Sequence, residues 1–94
     1  MTVNDLVRVI TNAHINFIWF DDHGRERQQS LYLNYEPKTK IEQFSLEFMK
    51  LFGDDHIIEI YNEFGSMYVV IDKQIPDYES RKIKERAYAK VMHK

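Results

Sequence analysis

The chain contains no cysteine, and its 94 residues include only three glycines and two prolines. Without a thiol, the sequence excludes disulfides, zinc ribbons, iron–sulfur ligation and cysteine nucleophiles. No glycine-rich loop is available to cradle a phosphate, because Gly24, Gly53 and Gly65 are isolated from one another. The longest apolar run, residues 15–20, is interrupted by Asn16 and is too short to span a bilayer. The first residues lack the basic and apolar regions of a signal peptide, so we expect a soluble cytoplasmic protein without membrane contact.

The composition is that of a folded chain. Hydrophobic residues make up 44% and charged residues 30% of the sequence, which favours a globular domain over a disordered segment. Ninety-four residues suffice for one domain and are too few for two, so residues 1–94 are expected to form a single domain. Large rings bury the most area per residue, and the 14% aromatic content therefore predicts an aromatic core.

The first third of the chain predicts a helix followed by a β-hairpin. Thr2 and Asp5 resemble a capping box, and an apolar stripe of helical period predicts a helix over about residues 3–12. From residue 14 the period changes to two, and residues 21–24 have the composition of a turn. Apolar residues then alternate again up to residue 35. Residues 14–35 are therefore predicted to form a hairpin with a polar tip.

A second helix is predicted over residues 39–52. Thr39 and Glu42 form a capping box, and Gly53 stands where a C-cap glycine belongs. A stripe at helical spacing is predicted to pack across the sheet, and it consists of Ile41, Phe44, Phe48 and Phe52.

Residues 55–64 fit two structures. Ile57, Ile60, Tyr61 and Phe64 have helical spacing, but the same β-branched run could pair through a turn at residues 62–66 with a strand at 67–72. The last helix is predicted to begin at Pro76 or Asp77, and its narrow apolar stripe is Ile83, Ala87 and Val91.

These elements predict an α+β fold in which a small antiparallel sheet of three to four strands packs against helices. The favoured order is α-β-β-α-β-β-α, and the alternative is α-β-β-α-α-β-α. The final strand is expected at the sheet edge, where unpaired backbone groups invite pairing, so a homodimer is one possible assembly.

Catalytic patterns are scarce, and we predict that the chain is not an enzyme and has no cofactor. No serine lies in a Gly-x-Ser-x-Gly elbow. The tripeptide Asp-Asp-His occurs twice, and carboxylate with imidazole is a ligand set for divalent metals. Both copies also fit ordinary turn or capping chemistry, which leaves them as weak metal candidates. The residues concerned are Asp21, Asp22, His23, Asp54, Asp55 and His56.

The C-terminal segment is basic, and it carries the nucleic-acid hypothesis. Residues 77–94 contain six Lys or Arg against three Asp or Glu, although the whole chain has a net charge of −2. A row of cations four residues apart could neutralise phosphates, and it could equally be a solvated helix face. The candidate contacts are Arg81, Lys82, Arg86 and Lys90.

The leading hypothesis is a non-catalytic regulatory domain that binds a protein. Residues 25–29 are polar at every position, so they are expected to project as an exposed arm. Four tyrosines, at positions 32, 35, 61 and 68, could extend an aromatic contact surface. The predicted partner-binding residues are Arg25, Arg27, Gln29, Tyr32 and Tyr35.

Two stretches resemble a known family. Asn-Asp-Leu-Val-Arg-Val-Ile occupies residues 4–10, and Ile-Glu-Gln-Phe at 41–44 is followed by Phe48 and Gly53. Both are similar to small anti-CRISPR proteins of Gram-positive phages, which bind Cas9 by mimicking PAM DNA, and the order of helix, strand hairpin and helix is also similar. The resemblance covers roughly a quarter of the chain. It implies a small phage or mobile-element protein that acts by binding.

Overall fold

Helices and strands follow one another in the order α-β-β-α-β-β-α in the computed structural model, which describes residues 1–10 and 12–92. The helices are α1 (Val3–Val9), α2 (Lys40–Lys50) and α3 (Asp77–Met92). The strands are β1 (Asn12–Phe20), β2 (Glu26–Asn34), β3 (Ile57–Glu63) and β4 (Ser66–Gln74). The α+β prediction and its favoured order are confirmed, and residues 57–63 are strand. Thr11, which the predicted first helix included, and Lys94 of the basic tail lie outside the described residues.

The four strands form one mixed sheet in the order β2-β1-β4-β3. Each hairpin, β1–β2 and β3–β4, is antiparallel, whereas β1 and β4 run parallel, with Ile15 opposite Met67 and Ile18 opposite Val70. The prediction of a purely antiparallel sheet is wrong at this central pair. The predicted edge position of the last strand is also wrong, because β4 is internal. Its residues Val69 and Val70 are both buried, so this strand has apolar groups to cover on each face.

Capping boxes begin α1 and α2 as predicted. The Thr2 hydroxyl accepts from the Asp5 backbone N–H at 3.3 Å, and the Asp5 carboxylate accepts from the Thr2 N–H at 2.9 Å. Thr39 and Glu42 repeat this arrangement at the start of α2, at 3.1 and 3.2 Å. Helix α1 ends earlier than predicted, because the backbone of Ile10 is already extended.

Gly53 has a different role from the predicted one. The C-cap of α2 is Leu51, in a right-handed conformation, so Gly53 is not the left-handed cap that the pattern suggested. Instead, α1 approaches Gly53 closely, and the Asn4 N–H donates to its carbonyl at 2.9 Å. A Cβ at position 53 would lie 2.5 Å from Asn4 Oδ1. Glycine at this position therefore leaves room for the Asn4 side-chain amide, which a Cβ would displace.

Four aromatic rings form the centre of the core. Phe17, Trp19, Phe48 and Phe52 contact one another in all six pairings, with ring centroids 5.0–6.1 Å apart. Two of these rings come from β1 and two from α2 and the turn that follows it. All three helices contribute buried residues to this one cluster, so they lie on the same face of the sheet. No helix in the described ranges is long and apolar enough to cross a bilayer.

Ile41 departs from the predicted stripe of α2. Its side chain is 71% exposed, whereas Phe48 and Phe52 are buried. Ile41 lies at one end of an open apolar groove of about 450 Å³ between the first turns of α2 and the last turns of α3. The helical stripe therefore continues past the sheet and reaches solvent at its N-terminal end.

We predict that Phe48→Ala lowers the free energy of unfolding by about 3–5 kcal/mol, because it removes the central ring from the cluster and leaves a cavity. Ile41→Ala, seven residues earlier on the same predicted stripe, is the matched control and should change stability by about 0.5 kcal/mol or less. Urea denaturation of both variants measures the difference. Equal losses would contradict the assignment of the core to the far end of α2.

Candidate binding surfaces

The second face of the sheet carries no helix within the described residues. Side chains alternate along β1, so that Phe17 and Trp19 point into the helix layer while Asn16 and Ile18 point to the other face. Ile18 and its β4 partner Val70 are only 2% and 6% exposed, although they lie outside the main core cluster. Neighbouring strand side chains must therefore cover them. This face is a candidate contact surface because its only cover comes from the sheet itself.

The most exposed ring of the described chain lies at one end of this sheet. Phe64 and Gly65 form the two-residue loop between β3 and β4, and both have positive φ, 51° and 79°. Asn-Gly is the common solution for such a loop, since positive φ strains other side chains. Phe64 is nevertheless 93% exposed, so its ring recovers almost none of that strain through packing within the chain.

Two tyrosines stack beside this loop. The ring centroids of Tyr61 on β3 and Tyr68 on β4 are 4.9 Å apart, and the ring planes are almost parallel, at 2°. Burial raises the pKa of Tyr61, and the carboxylates of Glu26, Glu63 and Glu59 raise it further. The tyrosine pair therefore lies in an acidic environment. We name these residues together the hairpin surface: Glu59, Tyr61, Glu63, Phe64 and Tyr68.

A second feature surrounds the turn between β1 and β2. Asp21 is fully buried, and its Oδ1 accepts from the backbone N–H groups of His23 and Arg25, each at 2.9 Å. Its Oδ2 lies 3.0 Å from Arg25 Nε and 3.4 Å from Arg27 Nη2. Burial acts to raise the pKa of Asp21, but the Arg25 and His23 N–H groups and the Arg25 guanidinium outweigh it, so the pKa is lowered.

Arg27 continues this network to α3. It contacts Asp77 at 3.0 Å, and Asp77 in turn contacts Arg81 at 3.1 Å. We call the set Asp21, Arg25, Arg27, Asp77 and Arg81 the charge network. It borders an open cavity of about 320 Å³ whose floor includes Trp19 and whose wall includes Lys84. Ser80 accepts a hydrogen bond from the Trp19 indole at 2.9 Å, which fixes α3 over this end of the sheet.

The structure separates the predicted partner-binding residues. Residues 26–30 are paired with 16–20 across β2 and β1, so the expected projecting arm is wrong: these residues form an edge strand. Arg25 and Arg27 neutralise Asp21. Gln29, which donates to the Ser30 carbonyl, is half-buried on the helix side. Tyr32 is on the opposite face, and Tyr35 lies beyond the strand, 72% exposed.

The predicted nucleic-acid residues do lie on one helix, α3, but several have intramolecular partners. Arg81 pairs with Asp77, and Lys90 reaches Glu47 of α2 at 3.0 Å. Lys82 lies over the ring of Tyr78, 5.6 Å from its centroid. Arg86 is exposed. Partial neutralisation by neighbouring acids weakens this row as a phosphate-binding surface.

The two Asp-Asp-His tripeptides have other partners as well. Asp21 belongs to the charge network, and Asp22 and His23 face solvent 3.8 Å apart. Asp55 contacts Lys73 at 3.2 Å, Asp54 is exposed, and the backbone of His56 bridges to Thr2. Within residues 1–10 and 12–92, no three His, Asp or Glu side chains converge as a metal site would require.

The exposure of Phe64 was not predicted from the sequence. The turn at residues 62–66 was predicted, and the signal within it was the dipeptide Phe-Gly where Asn-Gly or Asp-Gly would be usual. Lys84 is not among the predicted contacts, since its position beside Trp19 depends on the packing of α3.

Comparison of the chain with protein-family models, curated proteins and solved structures finds no significant match. Function is therefore inferred from the geometry of the hairpin surface and the charge network.

We predict that Asp21→Asn lowers the thermal midpoint by several degrees at neutral pH and flattens its acid dependence. The folded-state pKa of Asp21 is depressed, so its stabilisation is present above the ordinary carboxyl pKa and is lost as pH falls through the folded value. Thermal melts between about pH 7 and pH 2 measure this effect. Asp22→Asn, at the exposed neighbour, is the control and should follow the wild type. A wild-type acid profile in Asp21→Asn would contradict the role of this carboxylate.

Phe64→Asn should raise the free energy of unfolding by about 1 kcal/mol, because asparagine tolerates positive φ far better than phenylalanine. Phe64→Ala is the control: it removes the ring but keeps the backbone strain, so stability should stay near that of the wild type. Urea denaturation distinguishes the variants. Destabilisation by both would mean that the ring packs within the chain.

Proposed function

We propose that this chain is a non-catalytic binding module that contacts a basic protein surface through the hairpin surface. The observation that carries the proposal is Phe64, a ring 93% exposed on a residue with φ of 51°. A strained, unpacked aromatic residue costs stability in the isolated chain. Aromatic anchors that fill a pocket on a partner recover such a cost, and they dominate the energetics of many interfaces.

The surroundings of Phe64 fit the anatomy of a protein interface. Tyr61 and Tyr68 present a stacked, half-buried pair, which offers apolar area with little side-chain entropy to lose on binding. An apolar centre of this kind, bordered by polar side chains, is typical of a contact site.

The exposed glutamates of the hairpin surface favour a basic partner. Glu59 and Glu63 are exposed members of the hairpin surface, and together with Glu26 they raise the pKa of Tyr61. A partner that supplies Lys or Arg around an apolar pocket would complement this arrangement. A second copy of the chain would instead bring the same glutamates together, and like charges at an interface are unfavourable.

Cas9 in complex with its guide RNA is the first defined partner to test. The resemblance of residues 4–10 and 41–44 to anti-CRISPR proteins suggests this partner, and its DNA-binding channel has the required basic character. On this proposal the chain is a phage- or mobile-element-encoded inhibitor. Binding to purified complex that DNA carrying a PAM displaces would support this narrower assignment.

A capture experiment tests the general proposal. Immobilised wild type, Phe64→Asn and Val9→Asn are incubated with bacterial lysate treated with nuclease, and bound proteins are quantified by mass spectrometry. Val9 on α1 is another largely exposed apolar residue, at 71%, and is the control. We expect a basic protein retained by the wild type and Val9→Asn, and lost with Phe64→Asn even though that variant is the more stable one.

Retention of the same partner should also depend on the negative charge of the hairpin surface. Replacing Glu59 and Glu63 with Gln should weaken retention and reduce its sensitivity to salt, because fewer charges then cross the interface. Partners captured equally by Phe64→Asn would rule out the hairpin surface. A parallel capture from untreated lysate completes the test, since material retained only without nuclease would move the function to the exposed cations of α3.

A further inference from the structure

We propose that the cavity between the start of β2 and the first half of α3 binds a phosphate group, held by Lys84, Arg27 and Arg81. This site is separate from the hairpin surface. Trp19 and Arg27 are paired at one end of β1, whereas His14, at the other end, contacts Ser66 beside the β3–β4 loop. Failure of either proposal therefore leaves the other unaffected.

Positive charges outnumber negative ones around this cavity. The charge network has three arginines and two aspartates, and Lys84 adds a fourth cation. Each aspartate is already shared by two guanidinium groups. Four cations against two carboxylates leave an excess of two positive charges, and Glu26 at the rim offsets at most one of them. A phosphate monoester carries about −1.5 to −2 charges at neutral pH, which is enough to neutralise this excess.

Two nitrogen donors of the residues that line the cavity lack an acceptor among the described residues. Arg27 Nε is buried and has no hydrogen-bond partner in the described part of the chain. Lys84 lies with its Nζ 5.8 Å from the centroid of the Trp19 ring, and no carboxylate of a described residue is within 4.0 Å of it. Buried donors are normally satisfied, so Arg27 lines the cavity with its hydrogen-bonding capacity only partly used. Burial and then the Arg27 guanidinium lower the pKa of Lys84, whereas Asp77 acts to raise it, which agrees with incomplete neutralisation.

Shape and position agree with a small ligand. The cavity volume of about 320 Å³ exceeds what one phosphate needs and leaves room for a small organic group. Arginine and lysine are the side chains that most often bind phosphate oxygens. Two elements contribute the cations, with Arg27 on β2 and Arg81 and Lys84 on α3. A bound phosphate would therefore link the sheet to the helix.

Trp19 provides a direct readout. It is the only tryptophan of the chain, and it lines the cavity directly beneath Lys84. Intrinsic fluorescence is titrated with inorganic phosphate, with methyl phosphate and, at matched ionic strength, with chloride. We expect a saturable change with phosphate or methyl phosphate and none with chloride. Tighter binding of methyl phosphate than of inorganic phosphate would identify a phosphorylated small molecule as the ligand class, and the reverse order would identify the free ion.

Lys84→Gln should weaken phosphate binding about tenfold or more, because it removes a charged hydrogen-bond donor. Lys82→Gln is the matched control on the same helix, with its charge over Tyr78 instead of the cavity, and should bind within about twofold of the wild type. Thermal melts in phosphate-free buffer check folding, and Lys84→Gln should be as stable as the wild type. Phosphate should raise the wild-type melting temperature by mass action and have little effect on Lys84→Gln. A fluorescence response to phosphate equal to that of chloride would overturn the proposed site. Equal losses of phosphate affinity in Lys84→Gln and Lys82→Gln would also overturn it.

Discussion

The parallel pairing of β1 with β4 is the constraint on which the rest of the fold depends. Parallel neighbours cannot be joined by a tight turn, so the chain must cross from one hairpin to the other over a face of the sheet. Helix α2 and the turn after it lie in that crossover and place Phe48 and Phe52 against Phe17 and Trp19. The same contact that allows the two hairpins to join as one sheet thus assembles the aromatic core.

The placement of all helices on one face of the sheet determines which surfaces remain available for contacts. With α1, α2 and α3 on the same face, the other face and the β3–β4 loop are left to side chains of the strands. Phe64 is not part of the core cluster that contains the four aromatic rings. A domain of this size can therefore retain a costly exposed ring at one end while four packed rings maintain its stability elsewhere.

Buried charge connects the sheet to the last helix. Asp21 organises the β1–β2 turn, its carbonyl accepts from the Gln74 side chain at 3.0 Å, and Arg27 links it to Asp77 at the start of α3. Removing one partner from such a network leaves the others unpaired in a poorly solvated place. Arg25 and Arg27, which were expected on an exposed arm, thus also hold the β1–β2 turn and α3 together.

The sequence by itself determined the local elements: both capping boxes, the hairpin of β1 and β2, the turn before β4 and the start of α3. Each of these depends on residues within a few positions of one another, and the periodicity of apolar side chains records them directly. Only the tertiary structure decided that β1 and β4 run parallel, that Gly53 makes room for Asn4, that Arg27 meets Asp77 and that Phe64 is left unpacked. These features depend on residues far apart in the chain, and they are selected by the burial of whole faces, which no short window of sequence contains.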